Sequence, residues 1–201
     1  MKVQRFEDEQ DWMLARRGKI TGSRLKDVLV KRGGEKKIGF YELIAERLGI
    51  PADDEGAMNR GHRLEGEALD VFAKETGKVV DPSLVIWMRE ENESIAISPD
   101  GTIGETEAAE VKCLSSARHI EALLTMKVPK EYEYQVLQYF IVNQKLETLY
   151  FIFYDPRLLA KPFFYLTINR VDLQEDVTEM LEAERQTIAE VERIVNKLTD
   201  F

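Results

Sequence analysis

The alternation Ala109-Glu110-Val111-Lys112-Cys113 constrains this chain more than any other feature, because it follows the turn-forming run Ser98-Pro99-Asp100-Gly101 with nine residues between Asp100 and Glu110. Period-two alternation is the signature of a strand whose two faces meet different surroundings. A strand ending at Ser98 and a turn over Pro99 to Gly104 predict an antiparallel return, with Glu110 and Lys112 on one face near Asp100. Two carboxylates with a backbone carbonyl between them form an oxygen cage suited to Mg²⁺. A lysine beside them can orient or deprotonate a water, or stabilise charge on a phosphate in flight. A solvated charged hairpin has the same spacing. Ala109, Val111 and Cys113 nevertheless require one face to be core, and an inner strand of a helix-flanked sheet has its other face covered too.

The surrounding pattern supplies the flanking helices. Helices are predicted over Phe6–Arg17, Arg24–Lys31 (with Thr21-Gly22-Ser23 as its capped start), Phe40–Leu48, 60–76, Tyr132–Asn143 and 172–200. Strands are predicted over Leu84–Met88, Ile95–Ser98, Ala109–Cys113, Thr148–Tyr154 and Phe163–Asn169, with polar loops at 31–37 and 51–59. The last helix carries an apolar stripe at Leu173, Val177, Met180, Leu181, Ile188, Val191, Val195 and Leu198. Helices around a central mixed sheet make the fold α/β or α+β, in one domain spanning 1–201.

Three further groups are candidates for chemistry. Glu65 shares a helical face with Ala68, Leu69 and Phe72, and a carboxylate there must be paired, protonated or metal-bound. A partner at Arg60 or Arg63 would serve as well as a site. Gln135 and Gln138 lie three apart on one helix beside Tyr139, placed to hold a phosphate or a metal-shell water, or simply to face solvent. In Trp12 to Ser23, Arg16 offers a fork for a phosphate, and hydroxyls and free N–H groups at the next helix start add donors. A plain helix cap with a solvated arginine is the alternative. His62, His119 and the lone Cys113 have no zinc-like spacing and are read as structural.

The net charge of −9, taken alone, argues against a polyanionic partner, but its distribution does not. Residues 16–37 hold nine bases against two acids, whereas residues 172–200 hold nine acids against three bases. One cysteine excludes a disulfide scaffold. No apolar run approaches the ~20 residues needed to span a bilayer, and the N-terminus lacks a signal peptide's apolar stretch. A cytoplasmic protein with no membrane partner is expected.

With these residues placed, the chain resembles the lambda exonuclease family, the YqaJ-like viral recombinases, within the PD-(D/E)xK nucleases. The resemblance covers roughly residues 10–172, with four motifs in order: W-x-x-x-R-x-G-x-I-T-x-S at Trp12 to Ser23, R-G-x-x-x-E at Arg60 to Glu65, S-P-D-G with E-x-K at Ser98 to Lys112, and Gln138-Tyr139 followed by Tyr154-Asp155-Pro156. It implies a restriction-endonuclease-like core. It also implies two catalytic Mg²⁺ ions, for which Mn²⁺ can substitute, held by Asp100, Glu110, the Val111 carbonyl and Glu65, with Lys112 activating water. Arg16, Ser23, Ser98 and Gln138 match a pocket for a 5′-terminal phosphate, Gln135 is a secondary candidate, and Met58 falls where an apolar wedge separates the terminal bases. The implied activity is processive 5′→3′ digestion of double-stranded DNA, by a homotrimeric ring that leaves 3′ overhangs for a single-strand annealing protein in a phage-bearing host. A PD-(D/E)xK endonuclease or a catalytically dead DNA-end-binding scaffold are the competing readings.

Overall fold

The computed structural model describes residues 1–29, 37–47, 61–114 and 116–199. Met58, the 51–59 loop and all of the 31–37 loop except Lys37 lie outside them. Within the described residues the strands are β1 (Lys2–Arg5), β2 (Val85–Met88), β3 (Ala96–Ile97), β4 (Gly101–Ile103), β5 (Glu107–Lys112), β6 (Thr148–Tyr154) and β7 (Phe163–Asn169). The helices are α1 (Glu9–Arg16), α2 (Leu25–Val28), α3 (Ile38–Arg47), α4 (Gly61–Thr76), α5 (Ser116–Thr125), α6 (Glu133–Val142) and α7 (Gln174–Thr199). None is long and apolar enough to cross a membrane.

The strands form two sheets where the sequence predicts one. β1-β2-β3 is antiparallel throughout, and β4-β5-β6-β7 is mixed, with β5 and β6 parallel. Such a parallel pair needs a crossover, and α5 and α6 provide it. The predicted pairing of Ile95–Ser98 with the Glu110 strand is therefore corrected. β3 pairs with β2, and the partner of β5 is β4, in the register Gly101↔Ala109, Thr102↔Ala108 and Ile103↔Glu107. Pro99 explains the break, since its ring nitrogen has no hydrogen to continue a ladder. The chain leaves one sheet at Ile97 and enters the other at Gly101, so Ser98 and Asp100 sit at the junction.

Two helix boundaries also move. α1 starts at Glu9 because Asp8 caps it, its side chain accepting from the backbone N–H of Gln10 (2.7 Å) and Asp11 (3.1 Å). The residues before it form β1, an exposed edge strand whose KVQR sequence carries no burial signal. α2 is only four residues long and has no side-chain cap, so Ser23 does not cap it. Its first turn is closed instead by Arg24 and Leu25 N–H groups donating to the Thr21 carbonyl.

β5 lies between β4 and β6 and is covered on both faces, as an inner strand should be. Ala109 and Val111 pack with Ala68, Leu69 and Phe72 of α4. Ala108 belongs to the larger core built by α6 with Phe151 and Phe153. Helix α6 is buried from Gln135 through Val142, glutamines included, so its polar groups must find partners inside the protein.

Candidate active site

Glu110, 2% exposed, is the centre of the cluster. It projects from β5 toward α6, where Gln135 Nε2 donates to its Oε1 at 2.6 Å and the Tyr139 hydroxyl donates to its Oε2. Lys112, two residues on and on the same face, donates to Oε1 as well. The Lys112 ammonium lies 4.8 Å from the Tyr132 ring centroid and is 17% exposed. Asp100 approaches from the junction between the sheets, its Oδ2 accepting from the Val111 N–H at 2.7 Å. The Asp–Glu–Lys grouping expected from the spacing is thus assembled, although the bond linking Asp100 to β5 runs through a backbone amide.

The electrostatics show the strain of concentrated acid. Burial, then the Glu110 charge, pushes the Asp100 carboxyl well above the usual carboxylate range; Glu65 adds to this, while Lys112 and the Val111 amide oppose it. Glu65 on α4 is therefore close enough to act on the same centre, as its helical phase predicts. Burial pulls the Lys112 ammonium down, but Glu110 and Asp100 outweigh it and the net displacement is upward. Lys112 is held in its charged form. Burial also raises the Tyr139 phenol, followed by the nearby Glu110 and Asp100, so it stays a neutral donor.

These residues suit a hard divalent cation. Asp100 and Glu110 supply carboxylate oxygens and Glu65 adds negative charge, which a bound cation would neutralise. Among the described residues no three His, Cys, Asp or Glu form a ready-made ligand set.

The second predicted group forms beside the first. Arg16 stacks on Trp12, one turn back on α1, with the guanidinium carbon 4.4 Å from the ring centroid. Burial lowers its pKa, while Asp100 and Glu110 pull it back up, which places Arg16 in the field of the acid centre. Gly18, at φ 70°, turns the chain out of α1, and its N–H donates to Glu46 Oε2 (2.9 Å), which also holds Arg24 at 2.8 Å. Ile20 is then stitched to the approach to β3: its N–H donates to the Ser94 carbonyl, and its carbonyl accepts from the Ala96 N–H. Ser23 is exposed, and its Oγ lies 3.4 Å from Thr21 Oγ1. The Ser98 Oγ is buried without a hydrogen-bond partner among the described residues.

Gln138 differs from expectation. It is fully buried, and its Nε2 faces the carbonyls of Ile20 and Ala96 and the carboxyl of Glu184. Its amide is thus engaged by the segments that lead into Ser23 and Ser98. Gln135, the secondary candidate, is the glutamine that touches the acid centre.

Gly22 packs its backbone directly on this helix. A Cβ there would meet Ile97 Cδ1 at 2.2 Å and Gln135 Cγ at 3.0 Å. Gly22→Ala is expected to cost about 1–3 kcal/mol of stability by overpacking and to displace Gln135 from Glu110. Chemical denaturation together with activity per folded molecule would check both effects.

Four contributors were not legible as such. Tyr139 appeared only as a neighbour of Gln138, and Tyr132, Glu46 and Glu184 carried no expected role. Glu184 did leave a signal, since position 184 falls within the apolar stripe between Leu181 and Ile188. His119 is structural, as expected: its Nε2 lies 3.1 Å from the Lys161 carbonyl and its ring meets Phe164 edge-on. Burial raises the Cys113 thiol to about 11, which keeps it protonated.

The profile of the YqaJ-like viral recombinase domain matches residues 11–146, a segment that contains Arg16, Glu65, Asp100, Glu110, Lys112 and both glutamines of α6. The chain belongs to the YqaJ-like viral recombinase family. It is similar to the alkaline exonuclease LHK-Exo of Laribacter hongkongensis, with 30% identity over 95% of this chain and 96% of that one, and a TM-score of 0.81. The structure of LHK-Exo in complex with dAMP matches at 31% identity over 95% and 98% of the two chains, TM-score 0.78. A phage-related exonuclease from Haemophilus somnus 129PT shares the fold at 15% identity, covering 90% of this chain and 96% of that one, TM-score 0.60. No curated protein sequence matches. The mixed four-stranded sheet with its flanking helices is the PD-(D/E)xK core of this family.

Proposed function

We propose that this protein is a Mg²⁺-dependent exonuclease that degrades one strand of double-stranded DNA from a 5′-phosphorylated end, 5′→3′, and leaves a 3′ overhang. The observation that carries the reading is the juxtaposition of two groups: the Asp100–Glu110–Lys112 centre, and Arg16 close enough for its charge to act on both carboxylates. A cleavage centre with an anion-binding arginine beside it can cut a fixed distance from a terminal phosphate.

Asp100, Glu110, the Val111 carbonyl and Glu65 would hold the divalent ions. Two such ions, with Mn²⁺ able to replace Mg²⁺, would supply an activated water and stabilise the leaving 3′ oxygen. The chain's own side chains do the rest. The Lys112 ammonium donates toward the scissile phosphate and stabilises its developing charge. Gln135 and Tyr139 fix the Glu110 carboxylate so that it need not reorganise during the reaction. Arg16, held over the Trp12 ring, presents its fork to the terminal phosphate, with Ser23 and the unpartnered Ser98 hydroxyl as further donors.

The test uses linear duplexes labelled at either end, with and without Mg²⁺ and with 5′-phosphate or 5′-hydroxyl termini. Nucleotide release from the phosphorylated 5′ end, only with metal, is expected. Cutting of a covalently closed circle would favour an endonuclease, and binding without any release would favour an end-binding scaffold. Arg16→Ala is expected to weaken discrimination of 5′-phosphate over 5′-hydroxyl by roughly 10–100-fold, the loss of a charge-assisted bond. An unchanged preference removes Arg16 from the pocket. The same reading extends to a homotrimeric ring, a cytoplasmic setting in a phage-bearing host, and an annealing protein that receives the overhang. Sedimentation velocity tests the ring.

A further inference from the structure

A second polar cluster lies under the pocket, and the acid centre does not use it. Glu184, midway along α7, is fully buried, and its Oε1 accepts from Gln138 Nε2 at 2.9 Å. The same nitrogen faces the carbonyl oxygens of Ile20 at 3.2 Å and Ala96 at 3.3 Å. Two hydrogens are shared among three acceptors, and Glu184 is the nearest of them. The carbonyls fix which way the amide points, since turning it over would set oxygen against oxygen.

Ile20 leads directly into Thr21–Ser23, and Ala96 lies two residues before Ser98. The Ala96 N–H already donates to the Ile20 carbonyl, and the Gln138 amide braces this junction of the two strips that carry Ser23 and Ser98 from a second side. An apolar residue at position 184 would continue the helix stripe without the cost of burying a carboxyl. Packing alone does not account for Glu184.

We propose that Glu184 is a positioning residue of the 5′-end pocket, acting through Gln138 to brace the backbone-linked Ile20–Ser23 and Ala96–Ser98 segments in the arrangement a terminal phosphate requires. This rests on the end-recognition reading above. Burial supports it by raising the Glu184 carboxyl to about 8, with Gln138 and Arg89 opposing, so the group is protonated at neutral pH. Its Oε2 and the Gln138 Oε1 are both buried without a hydrogen-bond partner among the described residues. A proton on the carboxyl adds a donor to a cluster in which, of the side chains, only the Gln138 amide otherwise donates.

The experiment measures kcat and KM on duplexes that differ only in a 5′-phosphate or 5′-hydroxyl, for the wild type and three variants. Glu184→Met fills the space but removes the acceptor. It is expected to raise KM for the phosphorylated end about tenfold, the scale of one lost hydrogen bond, with kcat and the 5′-hydroxyl KM near wild type. Glu184→Gln keeps an acceptor and carries N–H in place of O–H, so it should restore the wild-type ratio. Glu184→Asp withdraws the carboxyl by one methylene and should shift the same KM in the same direction, which covers a Met variant that does not fold. The proposal is overturned if the Met and Asp variants keep the wild-type phosphate preference, or if they lose activity equally on both ends. A wild type that degrades both ends alike refutes the pocket itself, and this role for Glu184 with it.

Discussion

Replacing Lys112 with alanine is expected to lower the rate of nucleotide release by roughly 10²–10³-fold, the effect of removing one preorganised donor to a developing charge, while binding of duplex ends stays measurable. The expectation follows from how Glu110 is held. Lys112 is one of three groups on that carboxylate, and Gln135 and Tyr139 remain when it is removed. The acid therefore keeps its position, and the lost element is the positive charge. Arg16 is unaffected by the substitution and still meets the strand end. The measurement pairs end-labelled digestion with a binding titration, and an unfolding curve separates lost chemistry from lost fold. Full activity in a clean preparation would remove Lys112 from the centre.

The second large effect is on stability against pH, and it belongs to Glu184. The folded-state value is about 8 against an ordinary 4.5, so the carboxyl is raised. A raised value means that the contribution to stability is complete below about 4.5 and is lost as pH rises through about 8. The cause is burial in an apolar stripe, which Gln138 and Arg89 offset only in part. In Glu184→Gln no proton is lost, so the variant does not follow this decline. The stability difference between variant and wild type should grow between those two pH values, by up to ~5 kcal/mol at 1.36 kcal/mol per pH unit, and level off above them. Denaturant titrations at pH 5, 7 and 9 would measure it. A constant difference across that range would mean that Glu184 ionises like a solvated acid.

These two predictions differ in how readable their residues were. Lys112 stands out in the sequence because alternation with Ala109, Val111 and Cys113 is a property of a single strand. Glu65 stands out for the same kind of reason, as an acid in phase with Ala68, Leu69 and Phe72. Glu184 sits among nine acids in residues 172–200, where charge counting reads a solvated or partner-facing surface. Its place in the apolar stripe was the contrary signal. Only the packing of α7 against α6 shows that this acid faces inward. Gln138 stands out in the sequence only as one of two glutamines on a helix, and its full burial is a fact of tertiary packing.

By itself, then, the sequence determined the local periods: most of the strands and helices, though not β1, β4 or α5, which residues share a face, and that Glu110 and Lys112 lie on one side of a strand that follows Asp100 closely. Those follow from backbone geometry within a few residues. The tertiary structure decided the rest. It split the strands into two sheets at Pro99, formed β1 from an exposed segment without pattern, buried both glutamines of α6, and turned Glu184 toward Gln138. Each of these depends on contacts between residues far apart in the chain, where burial and hydrogen-bond partners are settled jointly by several elements rather than by the period of any one.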